Sequence, residues 1–178
     1  MGMKIYFLVL VWLGISIQMV GQTTGNASAT INLSSVALLD IEPSGTVSLN
    51  FTAPTEAGAV LGSSSTNSTK WINITSAVTT GLTRRVTAQI SGGTLPNGVR
   101  LKLSVANPVG GAGTRGTPVT LTYLTTTAQT IINSIGGAYT NTGSGSGFNL
   151  TYALDIQTYS ILKSGTSTIS VLYTLVDN

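Results

Sequence analysis

The stretch VRLKLSV sets Val99, Leu101, Leu103 and Val105 against Arg100, Lys102 and Ser104 in strict alternation. A period of two is the side-chain period of a β-strand, and it cannot lay one apolar stripe along a helix. The pattern recurs along the chain, in Val47, Leu49 and Phe51, in Val86, Ala88 and Ile90, and in Val119, Leu121 and Tyr123. It returns in Phe148, Leu150, Tyr152, Leu154 and Ile156, and in Ile169, Val171, Tyr173 and Leu175. Segments apolar on one face only call for antiparallel sheets with one side in a core and the other in water. The clusters EPSG, SGGTLPNG, NPVGGAGTRG, NTGSGSG and KSGTS supply turns between them. Helix signals are almost missing. TTTAQTIINSIGGAY is the nearest, and its Thr and Ile content favours strand. Gly62 to Thr69, GSSSTNST, reads as a flexible loop. The expectation is an all-β antiparallel β-sandwich of about eight to ten strands.

Lys4 followed by IYFLVLVWLGISI has the charge and the apolar run of a signal peptide, and small or neutral residues follow. The predicted division is a signal peptide at 1–22 and a single β-sandwich domain at 23–178. No second apolar run exists, so no integral membrane span is expected once the signal is removed. The chain has no cysteine, which removes disulfides, thiolate chemistry and a lipid anchor on Cys. A secreted chain without cystines points to a bacterium. The predicted location is secreted, extracellular or at the cell surface. Six Asn-x-Ser/Thr sequons, at Asn26, Asn32, Asn50, Asn67, Asn73 and Asn149, follow from the abundance of those residues.

Only 7% of residues are charged, against about 25% in ordinary domains. That excludes the clustered basic face of a nucleic-acid binder, and the strong patterning excludes disorder. With no His and no Cys, a Ser nucleophile has no imidazole base. Pairing one with Lys70, Lys102 or Lys163 is only a formal option. Asp40 and Glu42 share a strand face and read as a solvated strand end before Pro43, rather than a glycosidase or calcium pair. Gly143, Gly145 and Gly147 precede a strand rather than a helix, so a hairpin loop fits better than a nucleotide cradle. No enzyme activity, cofactor, metal or catalytic residue is predicted. A candidate ligand patch consists of Trp71, Arg84, Arg85, Arg100 and Lys102. It would suit anionic glycans if the two strands carrying the cations pair, and otherwise its cations are outward strand charges that blunt an edge.

In pattern, SVALLDIEPSGTVSLNF, GSGFNLTYALDI and the closing GTSTISVLYTLVDN resemble secreted bacterial surface subunits. The nearest are fimbrial subunits of the chaperone–usher kind and spore-coat-U-like proteins. The resemblance implies an immunoglobulin-like sandwich and an exported, non-enzymatic structural subunit of a surface filament, fimbria or coat. It also implies self-association or other surface subunits as partners, through β-strand donation. Ala29 to Leu39 would be the donor, anchored by Ile31, Leu33, Val36 and Leu38. The closing strand, with Ile169, Val171, Tyr173 and Leu175, would be the acceptor edge. The competing reading keeps the first segment as a strand of its own domain. The competing function is a secreted or surface-attached glycan-binding adhesin module.

Overall fold

The computed structural model describes residues 25–62, 64–120 and 122–178. The predicted signal peptide at 1–22 lies outside the described residues, as does Leu121. The chain divides into two compact units, Met1–Asn32 and Leu33–Asn178. In the first, residues 25–32 form no strand or helix and are all exposed.

The second unit is all β. Its strands are β1 (Val36–Glu42), β2 (Asn67–Ala77), β3 (Arg84–Gly92), β4 (Val99–Val105), β5 (Ala112–Gly113) and β6 (Thr117–Pro118). They continue with β7 (Thr122–Leu124), β8 (Gln129–Ile135), β9 (Ala138–Tyr139), β10 (Phe148–Ile156) and β11 (Ser170–Asp177). A short 3-10 turn at Tyr159–Ile161 follows β10. Two antiparallel sheets pack as a sandwich. The first runs β5-β9-β2-β10-β4-β7, with β1 on the other side of β2, and the second runs β11-β3-β8-β6.

Alternation decides what goes inside. Val86, Ala88 and Ile90 of β3, Leu101, Leu103 and Val105 of β4, and Phe148, Leu150 and Tyr152 of β10 are all buried in one cluster. Ile72 and Ile74 of β2 and Ile131, Ile132 and Ile135 of β8 complete it. A buried aliphatic or aromatic side chain of this kind contributes about 1.5–3 kcal/mol. Gly147 shows how tightly β10 enters its sheet. Its φ is +78°, and a Cβ there would stand 2.1 Å from the Ile72 carbonyl oxygen, so only glycine fits.

The long strands divide as β1, β2, β10 and β4 against β11, β3 and β8. Four against three is the division in an immunoglobulin constant domain. The wiring departs from that order. Here β3 is the central strand of the smaller sheet, and the sixth long strand, β10, lies between β2 and β4. An immunoglobulin domain places its fifth strand there.

Three local expectations are corrected. Val119 and Tyr123 do not share a buried face. Val119 follows β6 in the second sheet and is 38% exposed, whereas β7 belongs to the first sheet and buries Leu124 instead. The chain changes sheets inside VTLTY, and the alternation is cut there. Val47, Leu49 and Phe51 do alternate as half-buried positions, but only Phe51 finds a strand partner, an isolated bridge to Ser64. The predicted loop at Gly62 to Thr69 is shorter than expected, because β2 already begins at Asn67. Ser64 docks it: its hydroxyl accepts from the Leu154 N–H (2.7 Å) and donates to the Leu154 carbonyl (2.9 Å). One side chain thereby satisfies β10 where the β2 ladder ends, at the Asn67–Tyr152 pair.

The two sheets are also tied through polar atoms. The hydroxyl of Tyr152 on β10 bonds that of Tyr173 on β11. The Tyr173 ring is half-exposed on its edge strand, but its hydroxyl points inward to this partner. Burial pushes both phenols up from their ordinary range, and for Tyr173 the neighbouring Tyr152 adds to the rise. A phenol raised in the folded state stabilises the fold while protonated. That contribution is whole below about pH 10 and is lost as pH climbs through the folded-state value. Urea titrations should therefore show stability falling above about pH 10, and less steeply in the Tyr152→Phe/Tyr173→Phe double variant. At neutral pH each single Phe variant should cost about 1–3 kcal/mol, because it strands the other hydroxyl. The double variant should cost less than the sum, and additive costs would argue against a coupled pair.

Candidate functional site

The sandwich is closed on one side and open on the other. On the closed side, β7 belongs to the first sheet, yet the next residue, Thr125, accepts a hydrogen bond from Ile90 N–H of β3 at 2.7 Å. On the open side, β1 and β11 lie in contact as the end strands of their sheets. Among the described residues, β1 pairs only with β2 and β11 only with β3. The second edge of each strand therefore has no strand partner among the described residues.

The same side carries the half-open part of the core. Leu39 and Ile41 of β1 pack against the buried cluster but stay partly exposed. So do Ile169, Val171, Tyr173 and Leu175, the complete row assigned to the closing strand from its alternation. Before β1, Ile31 is 90% exposed and Leu33 81% exposed. Val36 and Leu38, grouped with them from the sequence, are strand residues of the second unit's own sheet. They stand opposite Ala77 and Thr75 of β2. Leu38 faces outward and is 63% exposed, because the inward positions of β1 are Leu39 and Ile41.

Arg84 clasps one end of the open side. Its Nε donates to Asp177 Oδ1 at 2.7 Å, and its Nη2 donates to Ser35 Oγ at 2.7 Å. Its Nη1 reaches the Val36 carbonyl, Ser76 Oγ (3.1 Å) and the Ala77 carbonyl (3.3 Å). One guanidinium thus joins the entry to β1, the exit of β2 and the end of β11. The planar five-donor fork of arginine suits this divergent set, and a lysine ammonium would not. Arg84 keeps the inward parity of Val86, Ala88 and Ile90 and is only 5% exposed. That parity was the readable sign that it belongs inside.

The proposed cationic patch is not brought together. Arg84 and Arg85 lie on β3 of the second sheet, Arg100 and Lys102 on β4 of the first, and the two strands do not pair. Arg85 donates to Asn178 Oδ1 at 2.9 Å. Trp71 is half-buried on the outer face of β2, opposite Glu42 of β1 and Asn149 of β10. Arg100 and Lys102 do share the outer face of the first sheet, with Asp155 opposite Arg100 in register. Arg100 Nη2 meets Asp155 Oδ2 at 2.6 Å, and its guanidinium carbon lies 3.7 Å from the centre of the Tyr123 ring. The hydrogen bond from Arg100 holds the Asp155 carboxyl below the usual carboxylate range. Asp155 and Tyr159 were not singled out from the sequence for this site, and Phe51 and Tyr123 were assigned to inward strand faces instead. The alternation in FNLTYALDI did assign Asp155 to an outward position.

Among the described residues, no cluster of His, Cys, Asp or Glu could hold a metal ion, and no helix is long and apolar enough to cross a membrane. Comparison with protein-family models, with curated proteins and with solved structures gives no match.

Because the Asp177 side chain is 73% exposed, the ion pair itself should matter little, and the bonds to the strand ends should matter most. Asp177→Asn should cost under about 1 kcal/mol. Arg84→Met should cost about 2–4 kcal/mol, since it orphans the β1 and β2 groups it serves. Urea unfolding followed by tryptophan fluorescence measures both. Equal losses would mean that the ion pair carries the clasp.

Proposed function

We propose that this protein is an exported, non-enzymatic structural subunit of a bacterial surface filament, fimbria or coat, assembled by β-strand donation. The observation that carries this reading is the open side between β1 and β11. Two long unpaired edges flank a row of half-buried apolar side chains there. An extended segment added along either edge gains main-chain hydrogen bonds on that flank, and its alternate side chains cover the half-open core. The donor on this reading is the segment before β1 in a second copy. Its Ile31 and Leu33 alternate and are largely exposed. Val36 and Leu38 are already engaged in the ladder with β2, so the donor narrows to residues 29–35. The absence of His and Cys from the chain fits a structural role, because it removes the imidazole base and the thiolate nucleophile.

Strand donation predicts a sharp separation of folding from assembly. The Ile31→Asp/Leu33→Asp double variant should keep the circular dichroism and unfolding midpoint of the parent, because both side chains are exposed. It should lose the ability to form filaments, as seen by light scattering and electron microscopy. Filaments of native size from the double variant would defeat the proposal, and so would a monomeric parent protein at high concentration.

A further inference from the structure

The loop from residue 50 to 65 folds back on itself through Gly62 N–H to the Thr52 carbonyl (2.9 Å) and Ser65 N–H to the Asn50 carbonyl (2.8 Å). It stands beside the outer face of the first sheet and encloses with it an open cleft of about 460 Å³. Phe51 and Tyr159 line the cleft, with Lys102, Asp155 and Thr66. That volume lies within the range of small-ligand sites. Tyr159 is 53% exposed, and its hydroxyl is fixed by the Leu61 N–H, so its ring is presented in one orientation.

Charge at this cleft is unevenly committed. The chain carries eight Lys and Arg residues, one of them Lys4. Arg84, Arg85, Arg100 and Arg115 each donate to a protein acceptor, and buried Lys70 donates to the Pro43 carbonyl. Among the described Lys and Arg residues, Lys102 and Lys163 have no hydrogen-bond or ion-pair partner, and Lys102 acts on Asp155 only through space. Lys163 is exposed in a loop, whereas Lys102 is half-buried on the cleft floor. Asp155 beside it is ionised and oriented by Arg100.

We propose that this cleft binds an acidic saccharide, with Lys102 taking the sugar carboxylate and the Tyr159 and Phe51 rings taking an apolar face of the pyranose. The parts match one ligand chemistry. An uncommitted ammonium selects an anion, and an exposed aromatic ring selects a face of C–H bonds. An oriented carboxylate and the Thr66 hydroxyl accept from or donate to sugar hydroxyls. A wide, wet cleft suits a polyol better than a wholly apolar molecule, since bridging water keeps its hydroxyls satisfied. No β1 or β11 residue lines the cleft, so the site is independent of strand donation.

Isothermal titration of the protein with methyl glucuronide, methyl sialoside and neutral methyl glucoside tests this. At least one acidic sugar should bind about fivefold more tightly than the glucoside, as one exposed ion pair allows. Added salt should erase that margin. Lys102→Gln should abolish the preference and leave glucoside binding unchanged. Tyr159→Ala should weaken both classes about tenfold through lost stacking. Lys163→Gln should change nothing. Failure of both acidic sugars to bind, equal affinity for acidic and neutral sugars, or a preference that survives Lys102→Gln would overturn the proposal. Light scattering on the same samples keeps the two readings apart. Filaments without sugar binding defeat only the cleft, and sugar binding without filaments defeats only the strand donation.

Discussion

An unpaired strand edge is the constraint around which this molecule is arranged. A two-sheet sandwich has four outer edges, and each presents backbone groups that attract another strand. Proteins usually blunt such edges with charge, and this chain is only 7% charged. The first sheet branches at β2, so five strands lie at edges here, and three of them, β7, β6 and β5, are blunted by other devices. β7 is three residues long and leads at once into the contact with β3. β6 is two residues long and ends in Pro118, which has no N–H to offer. β5 is equally short and sits in a glycine-rich loop. These shortcuts end on the side where β1 and β11 run for seven and eight residues with no strand partner on their second edges.

The polar interior reinforces the same asymmetry. Arg84 and the Tyr152–Tyr173 pair both connect the second sheet to the first near that open side, one through strand ends and one through the core. Each is costly to bury unless its partners are complete. Their presence there means that the loose strands are held by directional bonds where apolar burial is only partial. Toward the opposite side Leu124 of β7 and Ile131 and Ile132 of β8 are buried by apolar packing alone.

The alternation made most of the fold legible. The inward faces of β3, β4 and the first half of β10 were readable residue by residue, since each strand stays in one sheet with one face covered. It failed where the covering changed. In VTLTY the chain leaves one sheet for the other, so no single face persists. In VSLNF the apolar positions are half-buried, yet only Asn50 and Phe51 find backbone partners, at Ser65 and Ser64, and periodicity cannot distinguish a packed strand from a packed extended loop. On β1, SVALLDIE contains adjacent leucines, and only the register with β2 shows that Leu39 faces in and Leu38 faces out. The cationic patch failed for a topological reason: two basic pairs adjacent in sequence order fall on different sheets. The cleft at Lys102 was invisible because its wall is a loop docked by long-range contacts, Ser64 to Leu154 of β10 and the Leu61 N–H to the Tyr159 hydroxyl.

Scarcity of charge also changes what each charge says. In a surface crowded with Lys and Glu, an ion pair such as Arg100–Asp155 is one solvated pair among many and contributes little. Here it is one of two salt bridges among the described residues, and its neighbours on the outer face of β10 and β4 include Asn149, Thr151, Ala153 and Ser104 beside Lys102. A sheet face that stays soluble on hydroxyls and amides has no need of a guanidinium stacked on Tyr123 or of an ammonium beside it. The solubility explanation that ordinarily accounts for surface charge is therefore weak at this position. The proposed saccharide site would give the group a use, on the face turned away from the open edges.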